Sequence, residues 1–315
     1  MAKRKKGRPI NGWLVLDKPA GLGSTQAVSR ARRLYDARKA GHGGTLDPFA
    51  TGLLPIAFGE ATKTVQYVME GLKTYRFTVR FGVTTDTLDP EGEVTARSDA
   101  LPDALPDRAA IKAALSAFTG EIEQIPPAFS AIKIDGARAY DKARAGEAVE
   151  IAPRRVFVER LRLIETPDPS RAVLEMRCGK GTYVRALARD LAAALGTVGM
   201  VEELRRTAVA GFAESQAISL EALEQLGHNP AALAERLLPI EAALDGIPAM
   251  AVSEAEAVRL RNGQAVSLLR KIDLDRIADL SDDDEVVALH RGRAVALARY
   301  ARGEIRPVRV LIAGG

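Results

Sequence analysis

The sequence predicts an α+β protein: a mixed, mostly antiparallel sheet flanked by helices, followed by a small β-barrel-like domain. Three observations carry this. The run KTYRFTVRFG at 73–82 alternates with period two, with Tyr75, Phe77, Val79 and Phe81 on one face and Thr74, Arg76, Thr78 and Arg80 on the other. Helical periods are interspersed among the β runs, which read as paired by hairpins rather than by regular helical crossovers. From Val286 onward, short β-prone runs (VVALH, RAVALARY, RPVRVLI) alternate with glycine and charged turns, the pattern of a small barrel or sandwich.

In chain order, GWLVLD at 12–17 is a short buried strand running into Lys18 and Pro19. Ser24 or Thr25 caps a helix whose apolar positions Ala27, Val28, Ala31 and Leu34 follow the 3.6-residue period, while its other face carries arginines. A glycine-rich loop comes next, then an apolar segment at 53–58 and a helix near 60–69 with Val65, Val68 and Met69 on one side. Beyond the alternating strand lie the turn-rich loop TTDTLDPEG and a helix near 107–119 with Ile111, Leu115 and Phe118 at helical spacing. Asp135-Gly136 is a turn signal with a helical stretch after it.

Two more strands are predicted at 154–164 and 172–178, the second opening through a glycine turn into a helix with Val184, Leu187, Leu191 and Leu195 inward. Residues 226–250, with Pro230, Pro239 and Pro248, read as a connecting segment. Ser253 and Glu256 then form a capping box, and Asn262-Gly263 stops the helix that it starts.

Composition narrows the function. Of the 315 residues, 47% are hydrophobic and 27% charged, a globular balance. No run of about 18 apolar residues appears, so no membrane span is expected. The start MAKRKKGRPI is basic without the apolar core of a secretory signal, so the expected location is cytoplasmic. Cys178 is the sole cysteine, and His42, His228 and His290 lie far apart, so disulfide, zinc and thiolate-metal readings fail and no cofactor is expected. The net charge is +4, concentrated in Lys3, Arg4, Lys5, Lys6 and Arg8 and again in Arg30, Arg32, Arg33, Arg38 and Lys39. Such patches suit a polyanionic partner, and equally a solubilising tail and a solvated helix face.

The stretch GHGGTLDPFATGLLPI at 41–56 sets one carboxylate, Asp47, in a turn rich in glycine and proline. Pro48 biases Asp47 to an extended or turn backbone, and Gly41, Gly43 and Gly44 permit close approach or positive φ. A turn-capping carboxylate is one reading of an isolated Leu-Asp-Pro. Neither GHGG nor GKGTY supplies a phosphate-binding loop, and both the dinucleotide fingerprint and the nucleophile elbow of hydrolases are missing. A lone carboxylate among basic and aromatic residues remains.

Five blocks, in order, give that carboxylate a context: LDKPAG at 16–21, GHGGTLDPFATGLLPI at 41–56, KTYR at 73–76, TDTLDPEG at 85–92 and GKGTYVRALARDLA at 179–192. Together they resemble the tRNA pseudouridine synthase B family in its stand-alone bacterial form, over roughly residues 10 to 212. The resemblance implies the pseudouridine synthase fold and isomerisation of uridine-55 in the T-loop of tRNA, without metal or cofactor, by a monomer. It divides the chain into a basic tail at 1–9, a catalytic domain at 10–245 and a PUA-like RNA-binding domain at 246–315. A non-catalytic RNA-binding protein using the same surface is the alternative; such a protein has no need to keep Asp47, Tyr75 and Arg185 together.

The resemblance also implies roles. Asp47 is the catalytic carboxylate, acting as a nucleophile or as a stabiliser of positive charge at the sugar. Arg185 pairs with it and holds it ionised. Tyr75 stacks on the target base and is a candidate for removing the C5 proton, although a phenol pKa of about 10 makes stacking the simpler role. Tyr183 and Leu204 line the uridine pocket, His42 contacts RNA beside the flipped nucleotide, Lys18 with Pro19 packs under the site, and Asp89 touches the RNA loop. Gly43-Gly44-Thr45 stands where relatives often carry Thr-Gly-Ala or Thr-Gly-Thr; small residues replacing small residues are expected to leave the turn intact.

Overall fold

The alternating run is a central strand of a ten-stranded mixed sheet. The computed structural model describes residues 7–98, 105–130, 132–134, 137–138, 151–268 and 273–312. Lys3, Arg4, Lys5 and Lys6 of the basic tail, the Asp135-Gly136 turn and the helical stretch after it lie outside the described residues.

In chain order the sheet is built from β1 (Gly12–Lys18), β2 (Ala40–His42), β3 (Thr51–Phe58), β4 (Lys73–Phe81), β5 (Gly120–Gln124), β6 (Arg154–Asp168), β7 (Arg171–Cys178), β8 (Gly199–Val209), β9 (Phe212–Ala213) and β10 (Ile218–Ser219). The strands lie side by side as β10-β1-β3-β8-β4-β7-β6-β5, with β2 on β3 and β9 on β8. Only β1–β10 and β3–β8 run parallel; the other pairs are antiparallel, as expected from the hairpin-like spacing.

Helices α1 (Ser24–Leu34) and α2 (Val184–Ala194) cover the sheet. Ala27 and Ala31 of α1 are buried against Leu14, Leu16, Ile56 and Phe58. From α2, Val184, Leu187, Ala188 and Leu191 pack on Phe77, Val79, Leu174 and Val201. The 3.6-residue stripes of both segments are therefore core stripes, as their spacing indicated.

Three local expectations differ. Ser24 does not cap α1: Gly23 is the N-cap residue, its N–H donating to Gln26 Oε1 at 3.2 Å, and the Ser24 hydroxyl is buried and turned toward Leu46. The predicted connecting segment at 226–250 is part of the fold, with Leu233, Ile240, Ala243 and Leu244 buried and Leu238 exchanging backbone hydrogen bonds with Trp13. Strand β8, central in the sheet, was not anticipated at all.

The C-terminal residues form a second, five-stranded sheet: β11 (Ala249–Ala251), β12 (Val266–Ser267), β13 (Glu285–His290), β14 (Arg293–Ala301) and β15 (Glu304–Val310), in the order β11-β13-β14-β15-β12. Its helix α3 (Glu254–Arg261) begins with the Ser253–Glu256 capping box read from the sequence. This curled sheet shares a core with the first, since Trp13, Val15 and Phe212 cluster with Val287, Leu297 and Leu311. Lys63 donates to the Val310 carbonyl at 2.8 Å, and the Tyr67 hydroxyl to Glu285 at 2.5 Å across the same seam. No helix of the described residues is long and apolar enough to cross a membrane.

Candidate active site

The turn bearing Asp47 is held almost peptide by peptide. Gly43 donates its N–H to the Pro55 carbonyl at 2.8 Å. Arg206 donates to the carbonyls of Gly44 at 3.1 Å and Thr45 at 3.2 Å. Ser24 Oγ both accepts from Leu46 N–H at 2.9 Å and donates to Leu46 O at 2.8 Å. The Pro48 carbonyl accepts from Lys18 Nζ at 3.0 Å and from Gly21 N–H at 2.9 Å. Gly44 sits at φ 127°, a conformation that strains any residue with a Cβ. The glycines let the chain take a path that buried donors then lock.

Lys18 is fully buried and spends its ammonium on the carbonyls of Pro19 and Leu22, both at 2.8 Å, and of Pro48. Burial draws its pKa down to about 8. The side chain thus works from beneath, holding the Asp47 turn, and presents no ammonium to a bound molecule.

Asp47 Oδ2 lies 2.9 Å from Arg185 Nε, and its side chain keeps 35% of its surface open. Arg185 is nearly enclosed at the start of α2. Its guanidinium also meets Asp89 Oδ2 at 3.2 Å, and donates to Thr87 O at 2.7 Å and to Phe129 O at 3.0 Å. Burial pushes the Asp47 carboxyl above the usual carboxylate range; Arg185 pulls it back and the charge of Asp89 pushes it further up. Pairing with Arg185 therefore opposes the desolvation of Asp47 without overcoming it.

Asp89 does not face outward. It is 3% exposed, with Oδ1 accepting from Thr87 Oγ1 at 2.6 Å and from Glu91 N–H at 3.0 Å, and Oδ2 against Arg185. The expectation of an RNA contact is corrected: Asp89 is the rear anchor of Arg185, because both of its oxygens are committed inside the protein.

Tyr75 is half-buried on β4, directly opposite Arg206 of β8. Burial raises its pKa, Arg206 acting in the other direction, so the phenol is protonated at neutral pH. Leu204, 7% exposed, packs with Leu46, Phe77 and Tyr75 in one cluster below the turn. Tyr183 is the N-cap residue of α2, and its backbone is clamped by Gln124, which accepts from Tyr183 N–H at 2.8 Å and donates to Tyr183 O at 3.1 Å. His42 ends β2 opposite Ile56. Its Nδ1 is buried without a hydrogen-bond partner among the described residues, and burial with nearby Arg206 lowers its pKa, so it is neutral at pH 7.

A carboxylate on a rigid turn, countered by a buried arginine and flanked by an aromatic ring, suits the displacement of a bond at a sugar carbon. The sequence model of the TruB family pseudouridylate synthase N-terminal domain matches residues 32–184, and that of the tRNA pseudouridylate synthase B C-terminal domain matches 185–245. Over 311 residues the chain is 54% identical to the tRNA pseudouridine synthase B of Caulobacter vibrioides, covering 98% of this chain and 99% of that protein. The chain belongs to the TruB family of pseudouridylate synthases.

The Rhodospirillum rubrum member of the TruB family is 53% identical over 311 residues, 99% of each chain. Among solved structures, a Cbf5-Nop10-Gar1 complex matches with TM-score 0.72 at 23% identity, over 96% of this chain and 85% of that one. An H/ACA RNP bound to a substrate RNA containing 2'-deoxyuridine matches with TM-score 0.72 at 20% identity, over 99% and 92%. These distant likenesses show the fold. Membership of the TruB family makes this protein a pseudouridine synthase.

Within that setting the structure brings Asp47, Arg185, Tyr75, Leu204 and His42 around one turn and places Lys18 and Asp89 behind it. Arg206 is the member that sequence reasoning missed. Its signal was a second arginine in LRRTAV, indistinguishable in a sequence from a solvated one.

Proposed function

We propose that this protein isomerises uridine-55 in the T-loop of tRNA to pseudouridine, with the target base flipped out of the RNA and Asp47 as the catalytic carboxylate. The observation that carries the reading is the Asp47 carboxylate itself: fixed by its turn, paired with Arg185 at 2.9 Å and one-third open. The names of relatives more than 50% identical over almost the whole chain support tRNA as substrate.

The reaction breaks the C1′–N1 bond, turns the base, forms a C1′–C5 bond, removes the C5 proton and returns a proton to N1. No net oxidation occurs. A preorganised carboxylate meets the need by attacking or by stabilising the positive charge that develops at the sugar. Tyr75 stacks on the flipped base, and its protonated phenol favours that role over base catalysis. Tyr183 and Leu204 bound the uridine pocket, and His42, a neutral ring on a short strand, occupies space that the extruded base leaves. Residues 10–245 form the catalytic domain, and the curled sheet within 246–315 is a PUA-like RNA-binding domain.

The test is incubation with an unmodified tRNA transcript, mapping any pseudouridine formed. We expect modification at position 55 alone, with Asp47→Asn and Asp47→Ala binding tRNA and failing to turn over. No pseudouridine from wild type, or turnover by Asp47→Ala within a few-fold of wild type, overturns the reading.

A further inference from the structure

Arg206 is a charge in an expensive place. It is 1% exposed, and among the described residues its nitrogens donate to backbone carbonyls, which carry no formal charge: Leu53 O at 2.8 Å, Thr45 O at 3.2 Å and Gly44 O at 3.1 Å. A buried cation costs free energy unless donors and acceptors around it are well matched, and a tie between two loops needs no charge. The local backbone is shaped around this side chain. β8 is irregular between Arg206 and Ala208, which re-aims side chains at that point. Gly52, across from Arg206 on β3, sits at φ 98°, where an added Cβ would lie 2.2 Å from the Arg206 carbonyl oxygen.

We propose that Arg206 is a positioning residue of this site, holding the turn that carries Asp47 in a fixed relation to β3 and to Tyr75, its cross-strand neighbour on β4. The proposal rests on the functional reading above. A guanidinium offers five donors in a planar fork and accepts nothing. One edge therefore fastens Gly44 and Thr45, the peptides leading into Asp47, while the same group fastens β3 at Leu53. Lys18 and Ser24 hold the far side and the middle of the turn, so Arg206 supplies the approach side. Lysine does not reproduce it, since a single ammonium nitrogen has no planar fork to reach Leu53 and the Gly44–Thr45 peptides at once.

The experiment compares wild type with Arg206→Met, Arg206→Lys, Tyr75→Phe and the Arg206→Met/Tyr75→Phe double variant. It reads single-turnover pseudouridine formation at saturating tRNA, tRNA affinity, and amide hydrogen exchange of a peptide spanning 43–50. For Arg206→Met we expect a rate loss of about 100-fold, the scale set by a displaced catalytic group, with affinity within threefold and faster exchange confined to 43–50. Arg206→Lys falls between it and wild type, and serves alone if the Met variant does not fold. Tyr75→Phe costs less in the Arg206→Met background than in wild type. A rate within threefold of wild type in both Arg206 variants, or unchanged exchange at 43–50, overturns the proposal. Equal cost of Tyr75→Phe in both backgrounds refutes the link to Tyr75. If wild type itself makes no pseudouridine, the functional reading fails while the exchange result still decides whether Arg206 holds the turn.

Discussion

Replacing Asp89 with Asn separates two accounts of that residue. Asn keeps an oxygen for Thr87 Oγ1 at 2.6 Å and Glu91 N–H at 3.0 Å, but sets an amide where Oδ2 faces Arg185 Nη1 at 3.2 Å. Removing one partner of a buried ion pair costs about 3–5 kcal/mol when nothing else compensates. Arg185 retains Asp47 and the carbonyls of Thr87 and Phe129, so the loss is closer to one charge-assisted hydrogen bond, about 2 kcal/mol. Urea unfolding measures this. The larger effect is kinetic, because a loosened Arg185 no longer fixes Asp47: single-turnover rate at saturating tRNA falls about 100-fold with affinity within threefold. Loss of the Asp89 charge also removes one influence that raises the Asp47 pKa, so the acid limb of the rate profile moves to lower pH. An unchanged rate combined with about tenfold weaker tRNA binding refutes this reasoning and returns Asp89 to the RNA surface.

Gly43→Ala places a Cβ 2.6 Å from Val68 Cγ1 and 3.1 Å from Val68 Cβ, and valine cannot swing clear. We expect about 1–3 kcal/mol of destabilisation by urea titration, partly relieved by Val68→Ala; unchanged stability refutes the clash. The wild-type rate in the preformed complex is expected to show an acid limb above the ordinary aspartate value of about 3.9, because the role proposed for Asp47 needs its ionised form and burial raises its pKa. The sign for stability is the reverse of a surface ion pair: the native state holds the Asp47 proton more tightly than the unfolded chain, so the group's unfavourable contribution is absent below about pH 3.9 and grows as pH rises through the native value. An acid limb at or below 3.9 contradicts the burial argument. His42→Ala slows reaction of a folded T-arm stem-loop more than of an opened one, and equally at pH 7 and 8, since burial keeps His42 neutral; equal losses on the two substrates remove its role in base extrusion.

The alternating strand at Lys73, the helical stripes of α1 and α2 and the Ser253 capping box needed no tertiary information. Period, cap and turn chemistry are written in neighbouring residues. Asp47 was legible for a different reason, as part of five motif blocks in a family's order.

Strand β8 was not legible. GMVEELRRTAV breaks the two-residue period with irregular pairing near Glu203 and Ala208, and its charges argue against a central strand. The fold neutralises those charges at long range. Glu202 binds Arg171 at 2.6 Å, Arg205 binds Asp17 at 2.9 Å, and Arg206 is enclosed by carbonyls from residues far away in sequence.

The same distance hid the inward turn of Asp89. The sequence by itself singled out Asp47 as the candidate carboxylate and predicted those strands and helices whose period is locally regular. Only the tertiary structure decided which cations surround that carboxylate and whether each is spent on the protein or free for a substrate, because desolvation and hydrogen bonding at a buried charge depend on groups that folding alone brings together.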